Sequence, residues 1–398
     1  MRAKGEGSIF YSPAKGLYVA RVELTPDVTG KRRRVEISGK SHEAVVRKLR
    51  KLNQDKDAHG DLPTSSWTVK QWGEYWIQNI VNGTRRPNTT SRYHGKLKMY
   101  VYPVMGSVKL SKVTPAHVRK VIKAMGETST STKFVFSVLN VMFRDAVRNG
   151  QMLVNPCAAV EPPRIREPNL TVLSPAETQD VLARILTGPD AVLWALYILT
   201  GARRAEIAGL TWDKITDESI EISQQLQSIT SGYEFPRDMK RTHVKGPLWL
   251  VPTKTKAGTR IIPNVEPLRS LLRQWRADAP ENPWNLVFCL KFANGTVVPL
   301  RPDHIGVKWD AMRDALGASG VRLHDLRHGA VDLLYALGVP ERIIIEIVGH
   351  SSYAMSRAYK SAEDYGPRRD AMRALGAFLT EDTSSSNGAP RFVSEPEA

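Results

Sequence analysis

The sequence predicts a multidomain protein with a small α+β domain first, an all-α domain second, and a larger, mainly helical α+β domain third. Three observations predict this order. The chain has 398 residues, which exceeds one typical domain. Alternating residues typical of short strands fill 7–38, and linker-like stretches lie at Gly60–Ser66 and Glu161–Pro168. The expected domains are 1–60, 64–160 and 170–380, followed by a disordered tail over 381–398 that is rich in Ser, Glu, Pro and Gly.

The first domain is predicted to be a three-stranded sheet backed by one helix. Turns rich in Pro and Gly separate the strands, and Ser41 can cap the helix. The apolar face of this helix consists of Val45, Leu49 and Leu52. A basic run stands at the entry to the third strand, where it could bind phosphate groups of a partner or be merely solvated. This run is Lys31, Arg32, Arg33 and Arg34.

The second domain is predicted to contain four helices. Thr68 caps the first, whose apolar stripe consists of Val69, Trp72, Trp76 and Ile80. The second, around Thr90–Tyr102, carries the basic residues Arg92, Lys96 and Lys98. The third begins at Thr114-Pro115, and the fourth spans about Ser131–Asn149. Because the aromatic residues keep helical spacing, they are predicted to form a core and not a platform for stacked bases.

The net charge of +17 predicts a polyanionic partner. Residues 1–60 contain 14 Lys/Arg against 7 Asp/Glu, and residues 61–160 contain 14 against 4, whereas the remainder balances. A membrane partner is disfavoured, since the sequence has no lipidation motif, basic amphipathic anchor or secretion signal. The longest apolar run, Ala191–Thr200, is too short to span a bilayer. The expected partner is therefore nucleic acid.

Two cysteines, Cys157 and Cys289, are too few for a disulfide framework and match no zinc spacing. They fit two small buried thiols in a reducing cytosol. A cytoplasmic location is therefore expected.

Three motifs in the third domain suit chemistry on a phosphodiester. They are Thr200–Glu206, which reads TGARRAE, then Leu323–His328, which reads LHDLRH, and finally Gly349-His350 followed by Tyr359. Phosphoryl transfer is catalysed mostly by positioning and fixed positive charge, and the fork of an arginine grips two phosphate oxygens at once. A tyrosine is a weak nucleophile that needs such an electropositive setting. No metal is called for.

These motifs resemble the boxes of the tyrosine recombinases, and more particularly of phage and integrative-element integrases. The match extends over Leu199–Ile207 with Gly209–Trp212, over Leu323–His328, and over Val348–Ser352 to Tyr359. The resemblance implies that the three domains are an arm-type DNA-binding domain, a core-binding domain and a catalytic domain.

The resemblance assigns roles to six residues. Arg203, His324, Arg327 and His350 would contact the scissile phosphate, and Tyr359 would be the nucleophile. Lys254 would protonate the departing oxygen, with Lys256 as the competitor in the same predicted β-hairpin, between Leu248–Val251 and Ile261–Pro263. Arg204 replaces Arg203 if the register shifts by one, and the rival nucleophiles are Tyr353 and Tyr365. From helix geometry, Glu206 can hold an arginine, and His324 and Arg327 share one face.

The implied reaction forms a 3′-phosphotyrosine and a free 5′-hydroxyl, and requires neither ATP nor another cofactor. The implied partners are double-stranded DNA with core and arm sites, three further copies in a tetramer, and in some systems an excisionase and a host DNA-bending protein. A nicking-closing topoisomerase and a non-catalytic DNA-binding regulator are the alternatives. Two features stay open: Ser223–Gly246, which is longer than a hairpin needs, and the apolar face of Ala371, Met372, Leu375 and Phe378, which can pack on its own domain or on a neighbouring subunit.

Overall fold

The computed structural model describes residues 9–24, 33–59, 67–126, 129–164, 175–188, 190–349 and 365–380. These residues form two compact units. Unit 1 contains the described residues up to 164 together with Tyr233–Pro236, and unit 2 contains those of 168–232 and 237–398. None of the helices in these ranges is long and apolar enough to cross a membrane. The predicted multidomain, mainly helical architecture is confirmed, whereas the predicted tail lies outside the described residues.

The N-terminal part of unit 1 is an antiparallel sheet covered by one helix, as predicted. Strands β1 (Ile9–Ser12), β2 (Leu17–Leu24) and β3 (Arg33–Gly39) pair in that order, and α1 spans His42–His59. The Ser41 hydroxyl accepts a hydrogen bond from the backbone N–H of Ala44 at 3.2 Å, which caps the helix. A small core forms between sheet and helix from Ala20, Val22, Val45 and Leu49.

The rest of unit 1 is helical. Its helices are α2 (Val69–Trp76), α3 (Pro87–Lys96), α4 (Tyr102–Met105), α5 (Pro115–Ala124) and α6 (Thr130–Arg148). Thr68 caps α2 in a capping box with Gln71. The indoles of Trp72 and Trp76 are fully buried and donate hydrogen bonds to Met142 O and Asp145 Oδ2. The prediction that these aromatic residues form a core is confirmed.

Two π-helical turns change which residues the helices bury. One extends α2 over Ile77–Val81, and the other extends α3 over Leu97–Val101. Because a π turn contains an additional residue, the buried stripe moves to Ile77 and Val81. The sequence stripe predicted Ile80 at this position. Ile80 does pack against the core, but it is only partly buried.

Part of the Ser223–Gly246 segment belongs to unit 1. Within Tyr233–Pro236, the Tyr233 hydroxyl lies 3.0 Å from His94 Nδ1, and the backbone N–H of Glu234 donates to Asn82 Oδ1 at 2.8 Å. The other ring nitrogen of His94 lies 2.9 Å from Glu74 Oε2. The sequence alone did not explain why this segment is so long. In the structure, four of its residues pack with the helices of unit 1.

The elements of unit 2 pack around one central helix, which is apolar on every side. The helices of unit 2 are α7 (Pro175–Thr187), α8 (Ala191–Thr200), α9 (Arg204–Ala208), α10 (Leu268–Asp278), α11 (Pro302–Met312), α12 (Leu323–Ala336), α13 (Glu341–Val348) and α14 (Tyr365–Thr380). All residues of α8 from Val192 to Thr200 are buried, as expected of a helix without a polar face. This central helix ends at the first motif.

The strands of unit 2 lie in three small sheets. They are β4 (Ser219–Ile222), β5 (Gln224–Ser228), β6 (Thr242–Lys245), β7 (Leu248–Pro252), β8 (Arg260–Pro263), β9 (Cys289–Lys291) and β10 (Val297–Pro299). The sheet orders are β4-β8, β5-β7-β6 and β10-β9, with antiparallel pairing throughout.

The predicted hairpin around Lys254 is wrong. Its flanking strands β7 and β8 do not pair with each other, because β7 pairs with β5 and β8 with β4. The registers join Gln224 to Pro252 and Ile222 to Arg260, so that Ser223 alone stands opposite 253–259. These seven residues, here called the lysine loop, bulge out of a strand pairing that resumes after them.

The apolar face of α14 packs within its own unit. Ala371, Met372 and Leu375 are fully buried in the core of unit 2, and the amide of Gln179 donates to Phe378 O at 3.3 Å. Of the two packing modes left open by the sequence, this chain adopts the intramolecular one. The two cysteines are also buried and free, as predicted, and burial raises the pKa of each thiol to about 12.

Candidate active site

The first motif forms a tight turn between α8 and α9. Gly201 ends α8 with φ +54°, and a Cβ at this position would lie 2.6 Å from Val348 Cγ1. Only glycine permits both the left-handed backbone and this close approach. The turn leaves Arg203 immediately before α9, where its backbone N–H donates to Glu206 Oε2 at 3.0 Å. The motif therefore presents Arg203 from a rigid helix start.

Glu206 is a buried carboxylate shared by two arginines. Its Oε1 accepts a hydrogen bond from Arg203 Nη1 at 2.7 Å, and its Oε2 lies 3.2 Å from Arg260 Nη1. Burial raises the pKa of Glu206, but the charge of Arg260 and the hydrogen bonds from Arg203 outweigh it and lower the pKa below its ordinary value. Glu206 is therefore ionised and holds Arg203, as predicted from their spacing.

Arg327 lies deep behind this turn on α12. It is only 1% exposed, and its two terminal nitrogens donate to Gly201 O and to Val348 O, the latter at 2.6 Å. Burial, and then the charges of Arg203 and Arg260, lower the pKa of Arg327 to about 10. The guanidinium therefore remains a cation at neutral pH. Its hydrogen bond to Gly201 O places it against the turn that carries Arg203.

His324 is exposed on the first turn of α12, and its ring centre lies 5.0 Å from that of His328. Partial burial, followed by the charges of His328 and Arg327, lowers its pKa from 6.5. His324 is therefore uncharged at neutral pH, when one of its ring nitrogens can accept a hydrogen bond.

A cleft of about 590 Å³ joins the first two motifs. Its polar lining, here called the arginine cleft, includes Tyr197, Arg203, Arg204, Asp310, Arg322 and His324. The carboxylate in this set, Asp310, accepts a hydrogen bond from Arg313 at 2.8 Å. The cleft therefore favours an anion. Among the residues the structure describes, no group of three or more His, Cys, Asp or Glu is placed to hold a metal ion.

Arg203 and Arg204 both line the cleft, but their surroundings differ. Arg203 is paired with the buried Glu206 and donates to Gly349 O at 3.4 Å, whereas Gly306 leaves room beside Arg204 Nη1. These contacts favour Arg203 as the phosphate ligand.

Both lysine candidates lie on the lysine loop. The side chains of Lys254 and Lys256 are exposed. The loop is held by its threonines: the Thr255 hydroxyl accepts from the backbone N–H of Gly258 at 3.2 Å, and the hydroxyls of Thr253 and Thr259 lie 2.9 Å apart. The choice of Lys254 over Lys256 therefore stays a prediction.

The third motif is described only up to Gly349. This glycine ends α13 in the left-handed region with φ +71°, as its place in the sequence predicted. His350, Tyr353 and Tyr359 lie outside the described residues, and Tyr365 is described only as the backbone start of α14.

The predicted DNA-binding residues of unit 1 that the structure describes are accessible. Arg34 is exposed on β3, whereas Lys31, Arg32 and the side chain of Arg33 are not described. On and beyond α3, Arg92 lies 4.7 Å above the ring of Phe134, Lys96 lies 4.9 Å from the ring of Tyr100, and Lys98 is exposed. Such contacts hold a cation in place at the surface.

Two arginines in the structure were missed by sequence reasoning. Arg85 lies 5.8 Å from the ring of Tyr93, beside the basic residues of α3. Arg260 is buried against Glu206. No local pattern identifies either, because Arg85 lies in the bend before α3 and its ring partner lies within α3, and the partner of Arg260 is 54 positions away.

Comparisons with known proteins agree with this geometry. Residues 172–365 match the profile of the Phage integrase family, and residues 68–126 match the Phage integrase, N-terminal SAM-like domain. An integrase of Saccharopolyspora erythraea is 24% identical over 94% of this chain and 96% of its own length. A XerC-like tyrosine recombinase of Caldanaerobacter subterraneus is also 24% identical, over 86% of this chain and 91% of its own length.

Solved structures share the fold. The Tn1549 transposon integrase in complex with a circular intermediate DNA has a TM-score of 0.57 at 20% identity, covering 78% of this chain and 100% of its own. A lambda integrase dimer bound to a COC′ core site has a TM-score of 0.54 at 16% identity, covering 92% and 99%. The two profiles together span more than half of the 398 residues, and the first of them contains the motifs that form the arginine cleft. The chain therefore belongs to the phage integrase family of tyrosine recombinases.

Proposed function

We propose that the protein is a site-specific DNA recombinase that cuts and rejoins strands through a covalent 3′-phosphotyrosine. The observation that carries this proposal is the convergence of Arg203 and His324 on one cleft, with Arg327 buried close behind it. Fixed cations in a partly buried setting stabilise the charge that develops on a transferring phosphoryl group.

The two arginines would act differently. Arg203, held by Glu206, faces the cleft and would grip non-bridging oxygens of the scissile phosphate. Arg327, with two of its nitrogens on backbone carbonyls, would supply positive charge from behind. His324 and His350 would complete the set of hydrogen bonds to the phosphate, as in the family.

Each step of the proposed reaction exchanges one phosphate ester for another. The phenolic oxygen of Tyr359 gives up its proton to solvent and attacks phosphorus. The 5′-oxygen of the DNA leaves and takes a proton from Lys254. In the second step a 5′-hydroxyl from the partner duplex attacks the phosphotyrosine, and Tyr359 is released. Because one P–O bond forms for each that breaks, no ATP is required. Lys256 is the alternative proton donor from the same loop.

The proposed assembly is a tetramer on two DNA duplexes in the cytoplasm of a bacterial host. The sequence relatives include integrases of Mycobacterium phage L5 and of the Bacillus subtilis element ICEBs1, and a lambda integrase tetramer on a Holliday junction has a TM-score of 0.52. These support the integration or excision of a phage or mobile element. In this proposal unit 1 binds the arm and core sites, with an excisionase or a DNA-bending protein as accessory partners.

Trapping of the covalent intermediate tests this proposal. Attachment-site DNA carrying a nick beside the cleavage point loses a short 5′-hydroxyl fragment, so the adduct accumulates and its tyrosine can be mapped by peptide mass spectrometry. We expect an adduct with the wild type and with Tyr353→Phe, and none with Tyr359→Phe. An adduct in Tyr359→Phe would refute the nucleophile, and its absence in the wild type would favour a non-catalytic regulator. Relaxation of supercoiled DNA lacking attachment sites would favour the topoisomerase.

A further inference from the structure

Arg260 is a buried arginine whose hydrogen bonds all point into the protein. Its side chain is 4% exposed. Nε donates to Ile347 O at 2.7 Å, Nη1 donates to Gly258 O at 2.9 Å and to Glu206 Oε2 at 3.2 Å, and Nη2 reaches Thr200 O at 3.5 Å. Because this guanidinium is enclosed, it does not reach DNA itself.

The four acceptors belong to the segments that carry the proposed catalytic residues. Thr200 and Glu206 flank Arg203 in the first motif. Gly258 belongs to the lysine loop, and Ile347 lies in the last turn of α13, three residues before His350. One side chain thus connects the first motif, the lysine loop and the start of the third motif.

Packing around Gly349 supports this connection. A Cβ on Gly349 would lie 2.8 Å from Ala257 O and 3.1 Å from Arg260 Nη1. Gly349, which ends α13, therefore rests directly on the lysine loop and on the guanidinium. A displacement of Arg260 would therefore change the packing of both Gly349 and the lysine loop.

The geometry requires an arginine in particular. The guanidinium is a planar fork with five N–H donors, which can satisfy four acceptors in different directions, whereas a lysine ammonium is a single nitrogen on a flexible stem. The charge is needed as well, because Glu206 is buried and its second oxygen would otherwise lose its cationic partner.

We propose that Arg260 is a positioning residue of the recombination reaction, which fixes the lysine loop and the Gly349 turn against Glu206 and so aligns the proton donor and Arg203 on one phosphate. This proposal rests on the proposed recombinase function. It goes beyond that function by assigning the alignment of three separate motifs to one residue that touches neither DNA nor the reacting atoms.

The test compares Arg260→Lys, which keeps the charge and loses the fork, with Arg269→Lys as the matched control. Arg269 also donates two hydrogen bonds to a backbone carbonyl, that of Asn264, but lies outside the motifs. Each full-length variant is assayed for thermal unfolding, DNA affinity and single-turnover cleavage of the nicked substrate. We expect Arg260→Lys to bind DNA like the wild type and to cleave about 100-fold more slowly, the loss typical of a misplaced catalytic group.

A second DNA substrate tests whether Arg260 aligns the proton donor with the leaving group. When sulfur replaces the departing 5′-oxygen, the leaving group is a thiolate, which needs no proton near neutral pH. We expect the sulfur-to-oxygen rate ratio of Arg260→Lys to exceed that of the wild type by roughly ten-fold, since the general acid contributes less in the variant. The ratio for Arg269→Lys should equal that of the wild type.

The outcomes separate the two proposals. Suppose that the wild type forms its Tyr359 adduct and that Arg260→Lys cleaves the oxygen substrate as fast as the wild type does. The positioning role is then refuted, whereas the recombinase function stands. An equal loss on both substrates, paired with a lower melting temperature, would show a purely structural role and also refute it. If Arg260→Lys does not fold, the double variant Arg260→Gln/Glu206→Gln replaces it, in which both buried charges are removed. A sulfur-to-oxygen rate ratio equal to that of the wild type in this double variant refutes the proposal. A wild type without any adduct refutes both.

Discussion

At the scale of single residues, the buried carboxylate of Glu206 holds two arginines of the candidate active site. It forms one ion pair with Arg203 and another with Arg260. Both arginines approach it from different segments, and its side chain is 1% exposed. In such a setting the loss of one partner leaves a charge without compensation, which costs far more than the loss of a surface pair.

Glu206→Gln should therefore lower the stability of the protein by about 3 kcal/mol, because Arg260 would remain buried beside a neutral amide. Glu221→Gln is the control, since Glu221 pairs with Lys214 at 3.0 Å in a partly exposed position and should cost less than about 1 kcal/mol. Calorimetric unfolding of the two variants measures the difference. Equal losses would contradict the central role of Glu206.

The titration of His324 gives a second prediction at this scale. Its pKa is lowered from 6.5 by burial and by the neighbouring charges, so its neutral form contributes stability that is complete above pH 6.5 and is lost as the pH falls through the lowered value. NMR of histidine-labelled protein should show a midpoint for His324 below 6.5, and His328→Gln should raise it by removing a repulsive charge. A midpoint at or above 6.5 in the wild type would show that the ring is not shielded.

At the scale of elements, two glycine turns and one bulged strand position the motifs. Gly201 ends α8 and Gly349 ends α13, both in the left-handed region. The lysine loop leaves the strand pairing after Pro252, opposite Ser223, and returns to it at Arg260. Each segment of the proposed active site that the structure describes is thus a short irregular stretch fixed at the end of a regular element.

Gly349→Ala should destabilise the protein more than Gly338→Ala. Both glycines have positive φ, +71° and +78°, so each substitution carries about 1–2 kcal/mol of backbone strain. Only at Gly349 would the new Cβ also meet a carbonyl oxygen, that of Ala257, whereas nothing lies within 4 Å at Gly338. Chemical denaturation of both variants checks this, and a larger loss for Gly338→Ala would contradict the packing of the turn on the lysine loop.

The intramolecular packing of α14 is testable in the same way. Leu375→Ala should cost about 2–5 kcal/mol, because it leaves a cavity in the core of unit 2, whereas the exposed Arg373→Ala should be nearly neutral. The loss should not depend on protein concentration. A stability that rises with concentration in the wild type but not in the variant would instead indicate packing between subunits.

At the scale of the whole molecule, the excess of positive charge and the motifs of the candidate active site lie in different parts of the chain. The excess of Lys and Arg lies in the first 160 residues, and the part that carries the motifs is balanced. In the proposed function, the basic part binds the DNA backbone, whereas the balanced part carries out the reaction at a cleft lined by Arg203, Arg204 and Arg322.

DNA affinity should therefore fall steeply with salt, and the residues of unit 1 should set the slope. Arg92→Ala and Lys96→Ala should each reduce the slope of log affinity against log salt by roughly 1, since each would release about one counterion. Arg273→Ala, which removes an exposed partner of Asp217 in unit 2, should leave the slope unchanged. Titrations by fluorescence anisotropy at several salt concentrations measure the slopes, and equal slopes in all variants would exclude these contacts.

Local signals in the sequence predicted much of this protein correctly. The helix starts at Thr68 and Thr114, the strands of the N-terminal sheet, the glycine end of α13 and the pairing of Glu206 with Arg203 all depend on residues a few positions apart. The family was also identifiable, because its motifs are short continuous stretches.

What only the tertiary structure decided involves residues far apart along the chain. Arg260 meets Ile347 across 87 positions and Glu206 across 54, and no periodicity or cap records such a contact. The hairpin prediction failed for the same reason, since the partners of β7 and β8 are earlier strands and not each other. Local chemistry therefore determined which residues could act on a phosphate, and long-range packing determined which buried side chain brings them together.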